Sequence, residues 1–147
     1  MSKWPSGRWE TQTSFGGLSR SELMSRIRSS GNATTEVKLL RLMRAAGIKG
    51  WRRACPLPGK PDFVFYKIRL VVFVDGCFWH GHHCGRSLVP KRNTSAWRNK
   101  ILTNRRRDVR VARQLRSLGW KVLRVWECRL AKLPNACVQR IRRALTR

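Results

Sequence analysis

Between Asp75 and Cys84 the chain reads DGCFWHGHHC, which gathers all three of its histidines and two of its five cysteines into one short stretch around a Phe-Trp pair. Cys77, His82 and Cys84 follow the spacing C-x4-H-x-C. One more nitrogen or sulfur donor would complete a closed tetrahedral set, the structural mode of binding Zn²⁺. Cys128 is the favoured fourth ligand, because WEC ends a strand-like run and so stands at a fixed position. Cys55 and Cys137 compete with it, although Cys137 falls on a helix face and reads as a small buried hydrophobe. Cys55, before a Pro-rich turn, has no evident role. His83 reads as a solvated neighbour. His80 is unneeded by the metal if His82 ligates it, so its neutral imidazole is a candidate to accept a proton from an attacking water. The competing reading of His80 is an alternate or supporting metal ligand.

Carboxylates supply the second constellation. The chain has seven acids, Glu10, Glu22, Glu36, Asp62, Asp75, Asp108 and Glu127, and each repels a phosphate backbone, so each invites a reason for its presence. Asp62 opens one predicted strand and Asp75 closes the next, the arrangement by which restriction-type nucleases gather acids at a sheet edge. Mg²⁺ held there would polarise a phosphate and help ionise water. Asp108 follows Arg105, Arg106 and Arg107, and reads either as a member of this set or as a helix-surface acid neutralising its neighbours. Glu36 has the same two readings, since the first turn of a helix favours a surface acid. Phe78 and Trp79, beside the metal loop, suit a wedge entering a base stack. Trp97 is a third wedge residue or an ordinary core residue.

Those side chains need elements to hold them. Residues 1–18 are rich in Gly, Ser and Thr and read as a flexible basic arm. From Ser19, Leu23, Met24 and Ile27 mark a helix that stops at Ser29-Ser30-Gly31. A second helix starts at Thr34 or Thr35, with Val37, Leu39, Leu40, Leu42 and Met43 apolar, and ends at Gly47. After the turn CPLPGKP, Asp62–Tyr66 and Leu70–Val74 predict a β-hairpin, its second strand buried on both faces. Thr94–Leu118 predicts a long helix with Trp97, Ile101, Val109, Ala112, Leu115 and Leu118 on its apolar side. Trp120–Trp126 alternates like a strand, and 135–146 reads as a terminal helix. The order implies an α/β fold, a small mixed sheet flanked by helices, in one domain spanning 19–147.

Lys and Arg total 33 against the seven acids, a formal charge of +26. Such a chain seeks a polyanion. No apolar run approaches the roughly 20 residues that cross a bilayer, so a membrane is not the expected partner. The opening MSKWPSGRWETQTSFGG lacks the apolar region of a signal peptide, which points to the cytosol, where thiols serve metals more often than disulfides. A merely solvated basic surface is the competing reading of the charge.

In order, PLPGKPDFVF, VFVDGCFWHGHHC, the W-x10-D spacing from Trp97 to Asp108, and LGWKVLRVWEC resemble the very short patch repair endonucleases over roughly Ser19 to Leu130. The resemblance implies a restriction-endonuclease-like fold, a structural zinc, and Mg²⁺-dependent nicking on the 5′ side of the T in a T:G mismatch left by deamination of 5-methylcytosine. By position it implies that Asp62 holds Mg²⁺ with the Val74 backbone carbonyl. His80 would be the base, Asp108 the acid that orients it, and Glu36 an acid near the active site. Cys77, His82, Cys84 and Cys128 match the zinc ligands, and Phe78, Trp79 and Trp97 the wedge. Asp75 stands where the family pattern has a His, which leaves open a metal contact or only a hydrogen bond. The implied partner is double-stranded DNA bound by a monomer near the nucleoid, with polymerase, ligase and mismatch-repair proteins acting around it. Two other readings remain: a restriction-like nuclease acting on other or less selective DNA targets, and a non-catalytic zinc-containing DNA-binding protein.

Overall fold

The computed structural model describes Ser19, Ser21 and Glu22, Asn32, residues 35–85 and residues 88–147. The expected arm over 1–18 and most of the first expected helix lie outside the described residues, although Ser21 and Glu22 are helical. No helix among the described residues is long and apolar enough to cross a membrane.

Helix α1 spans Glu36–Ala45, and Leu39 and Met43, one turn apart, are its fully buried anchors. Gly47, at φ +69°, ends it: its N–H reaches Arg44 O and the N–H of Ile48 reaches Met43 O, the double bond of a Schellman cap. Strand β1 (Phe63–Phe65), a 3₁₀ turn (Tyr66–Ile68) and strand β2 (Leu70–Asp75) form the expected antiparallel hairpin. Helix α2 (Thr94–Ser117) then carries the chain to strand β3 (Lys121–Trp126), which pairs parallel with β2. The sheet order is β1-β2-β3, so β2 is central and mixed in its pairing. A short helix α3 (Glu127–Lys132) and helix α4 (Pro134–Leu145) close the chain.

Side-chain alternation along the strands sorts the sheet into two faces. Phe63, Phe65, Leu70, Val72 and Val125 pack on α1 and α4, while Val64, Val71 and Phe73 pack on Val111 and Leu115 of α2. Asp75 shares its parity with Val71 and Phe73, and Arg124 with Val122, so both point to the α2 side at the ends of their strands.

Two expectations change, and one open choice closes. Cys128 lies in the first turn of α3 rather than at a strand end, because β3 stops at Trp126. Glu36 is buried rather than a surface acid, since Arg53 Nη2 meets its carboxylate at 2.7 Å. On α2, Val109 is 60% exposed and Leu118 52% exposed, and Val111 takes the core position instead. The inward stripe is Trp97, Ile101, Asn104, Asp108, Val111 and Leu115, alternating steps of four and three residues. Two polar residues therefore occupy its middle, and neither is fully exposed.

The loop before β1 is pressed against this helix. Gly59 has φ +73°, and a Cβ on it would stand 2.4 Å from Val111 Cγ1. Gly59→Ala should lower the free energy of unfolding by about 1–3 kcal/mol in urea titrations, through backbone strain and overpacking together. Adding Val111→Ala should remove only the packing share, so the double variant should cost less than the sum of the two singles.

Candidate active site and metal centre

Asp62, Val74, Asp75, His80 and Asp108, drawn from four different segments, line a single cleft of about 150 Å³ together with Lys60, Arg107 and Arg124. Asp62 stands just before β1, and its Oδ2 accepts a 2.7 Å hydrogen bond from the Val74 N–H of β2. That bond ties the hairpin's two acids to one place. Burial drives the Asp62 carboxyl up to about 6; the Val74 N–H draws it down, Glu36 and Asp75 push it further up, and Arg53 opposes them. Glu36 does not line the cleft, but its charge reaches Asp62 from the start of α1.

Asp108 comes from the inward stripe of α2 and accepts a hydrogen bond from His80 Nδ1. A carboxylate can only accept, so Nδ1 carries the proton and the Nε2 lone pair faces away from Asp108. The nearest acid to Nε2 is Asp75 Oδ1, at 3.7 Å, beyond hydrogen-bond reach. Asn104, one turn before Asp108, donates to the Trp79 carbonyl at 3.0 Å and fixes the loop that carries His80. The two polar residues on the α2 stripe thus hold the loop and its imidazole.

Fitness for a divalent cation follows from the donors. Asp62 offers a half-buried carboxylate with one oxygen bonded to Val74 and no donor on the other among the described residues. Its raised pKa means that surrounding protein leaves its negative charge undercompensated. A hard cation with oxygen ligands would supply that compensation, and Asp62 with the Val74 backbone would hold it.

The second cluster lies just beyond the strand ends. Cys77, His82, Cys84 and Cys128 bring one ligand atom each within 4.8 Å of one another. Sulfurs about 2.3 Å from a tetrahedral ion sit about 3.8 Å apart, so the donor set suits Zn²⁺. The Cys128 N–H donates to Cys77 Sγ at 3.4 Å, and His82 Nδ1 lies 3.4 Å from Cys128 Sγ. Burial pushes the Cys77 thiol up, and burial, His83 and Arg129 together lower His82, which favours the neutral, ligating imidazole. Trp126 stacks on His82 at 4.1 Å. His80 is outside this group and His83 is exposed. Cys137 is packed in the core between the sheet and α4, and Cys55 in the core under α2.

Phe78, Trp79 and Trp97 meet edge to face, with centroids 5.1–5.7 Å apart. Phe78 and Trp97 are buried, and Trp97 Nε1 donates to Ser21 Oγ at 2.9 Å. Trp79 is half-buried, with Lys100 Nζ 4.9 Å from its ring centroid. The trio is a packed cluster here, and Trp79 is its partly open member.

Sequence reasoning passed over Arg124, Arg53, Lys60 and Asn104. Arg124 had a signal, because it shares its strand face with Val122, and a charge on a core-facing parity needs a partner. Asn104 had one too, in the four-three spacing of its stripe. Lys60 and Arg53 had none among so many cations.

The family profile described as DNA mismatch endonuclease Vsr matches residues 14–86. The type II nicking enzyme V.XorIIP of Xanthomonas oryzae is 41% identical over 126 residues, covering 86% of this chain and 91% of the relative. The DNA mismatch endonuclease Vsr of Escherichia coli is 45% identical over 95 residues, 65% of this chain and 61% of the relative. The type II nicking enzyme V.NmeDIP of Neisseria meningitidis is 39% identical over 111 residues, 75% of each chain.

Two outcomes are expected from this geometry. Cys128→Ala should abolish stoichiometric Zn²⁺ in the purified protein, measured by elemental analysis, and lower its melting temperature; a full complement of Zn²⁺ in the variant would exclude Cys128 as a ligand. Between about pH 4, where an unfolded Asp ionises, and about pH 6, the native state retains a proton on Asp62 that the unfolded chain has released. Cation-free stability should therefore fall as pH rises through that window, and Mn²⁺ affinity should rise, by up to about tenfold per pH unit. Asp62→Asn should remove both slopes in urea and Mn²⁺ titrations.

Proposed function

The chain belongs to the Vsr family of DNA mismatch endonucleases and is a DNA endonuclease, and from that premise we propose that it nicks one strand of duplex DNA on the 5′ side of the T in a T:G mismatch. The observation that carries this reading is the cleft in which Asp62, bonded to the Val74 N–H, faces His80 backed by Asp108. Mg²⁺ bound by Asp62 and the Val74 carbonyl would lend Lewis acidity to the scissile phosphate.

The chain's own residues supply the rest. His80 Nε2 takes the proton of the attacking water, and Asp108 holds the ring by Nδ1 and stabilises the imidazolium that results. Lys60 and Arg107, lining the same cleft, suit the phosphate backbone. Glu36 acts through its charge on Asp62 rather than by touching substrate. Cys77, His82, Cys84 and Cys128 would hold Zn²⁺, and that coordination would fix the turn between Asp75 and His80. Phe78, Trp79 and Trp97 open the stack at the mismatch, with Trp79 leading because it is the partly open member. The reading carries with it a restriction-endonuclease-like fold, a single domain over 19–147 preceded by a basic arm over 1–18, a monomer, a cytoplasmic site of action, and later polymerase and ligase steps to repair the nick. The burial of Phe78 and Trp97 favours one second reading, a nuclease of the same fold with less selective DNA targets.

Mg²⁺-dependent cleavage of two duplexes that differ only in T:G versus T:A, each strand labelled separately, tests the proposal. One nick beside the mismatched T is expected, with Asp62→Ala lowering the rate by about a thousandfold or more while duplex binding persists. Equal cleavage of both duplexes would move the function to the second reading, and nicking retained by Asp62→Ala would remove the cation site from Asp62.

A further inference from the structure

Arg124 has no role in the mechanism above, yet it touches both acids that flank His80. Its Nη1 donates to Asp75 Oδ1 at 2.9 Å and to Oδ2 at 2.7 Å, and its Nη2 lies 3.7 Å from Asp108 Oδ1. The guanidinium is seated 4.6 Å over the Phe73 ring, its cross-strand neighbour in the β2–β3 register. It is therefore held by packing as well as by charge.

The consequence concerns Asp75, which is only 3% exposed and shares the cleft with Asp62. A hard cation favours a carboxylate whose charge no other cation already balances. Among the described residues Asp62 has one oxygen that meets no donor, whereas both oxygens of Asp75 face the Arg124 guanidinium, whose charge opposes a second cation there. His80 Nε2 also lies near Asp75, at 3.7 Å from Oδ1. Without the guanidinium, Asp75 would be a buried, uncompensated carboxylate beside both the cation site and the base, free to ligate one or close on the other.

We propose that Arg124 is a positioning residue that withholds Asp75 from the divalent cation and from His80, confining the cation to the Asp62 side of the cleft and leaving Nε2 open to substrate. The inference rests on the cation reading of Asp62 given above. It also gives Asp75 a role, as the anchor of an ion pair rather than a metal ligand.

The test uses the zinc-loaded full chain and two readouts: Mn²⁺ binding without DNA, followed by electron paramagnetic resonance, and single-turnover nicking of a T:G duplex in Mg²⁺. Arg124→Met should bind Mn²⁺ about tenfold more tightly or take up a second ion, and should nick about 10–100-fold more slowly at saturating DNA. Arg124→Met/Asp75→Asn should return Mn²⁺ affinity to that of the parent and recover most of the lost rate. Arg124→Lys should keep the parental Mn²⁺ affinity, and so should Asp75→Asn alone, because Asp75 contributes nothing to the cation while Arg124 is present. Weaker Mn²⁺ binding in Asp75→Asn would overturn the proposal, as would unchanged Mn²⁺ binding in Arg124→Met or a loss appearing only in DNA affinity. The Asp75→Asn and Arg124→Lys arms stand even if Arg124→Met does not fold. Mn²⁺ results as expected in a chain that nicks nothing would count against the proposed reaction and not against Arg124.

Discussion

The in-register parallel pairing of β2 with β3 is the constraint on which the site depends. Asp75 lies opposite Trp126, so both strands end at one level, and two residues further on Cys77 and Cys128 stand side by side. The same register sets Arg124 opposite Phe73, close enough to reach Asp75 on the α2 face. Strand side chains alternate with period two. A slip of one residue would turn Arg124 toward α1 and α4, leave Asp75 buried without its cation, and pull the two cysteines out of step.

Charge economy tells a similar story from the opposite direction. In a chain with 33 Lys and Arg, four of the seven acids act at or upon one cleft, and a fifth, Glu127, accepts from the Cys77 N–H at the start of the metal turn. Among the described residues Glu36 meets Arg53 and Asp75 meets Arg124 in close ion pairs, whereas the hydrogen bond to Asp62 comes from a backbone N–H. That difference leaves one carboxylate of the group open to a cation. The surrounding basicity suits a polyanion, while burial still holds the Asp62 carboxyl above the usual carboxylate range.

Much of this was legible in the residues. The hairpin, the two-sided burial of β2 and the long helix follow from apolar runs and turn residues, and the C-x4-H-x-C stretch with WEC named the four sulfur and nitrogen donors that the fold brings together. What escaped is tertiary. Reading α2 by hydrophobicity alone put Val109 and Leu118 inward, because the stripe is interrupted by Asn104 and Asp108, which face inward for the sake of the loop and His80 rather than the core. Glu36 kept two readings, a dipole-favoured surface acid or a member of the acidic set, because nothing local reveals Arg53 arriving from the segment before β1. The packing of the aromatic trio cannot be read from DGCFWH: Phe78 and Trp97 bury each other only once α2 lies beside the turn.

The metal turn also bears on how the sheet comes together. Three of its donors, Cys77, His82 and Cys84, are near neighbours in the chain, whereas Cys128 is 51 residues from Cys77. An unpaired chain can offer the first three locally; the fourth arrives only when β3 lies along β2, after a loop closure whose entropic cost grows with its length. An ion held by all four therefore binds the paired sheet more tightly than the unpaired chain. By linkage, the same free-energy difference favours the pairing. Coordination and strand order are then one equilibrium, in which a correctly registered parallel sheet is the state that satisfies the ion.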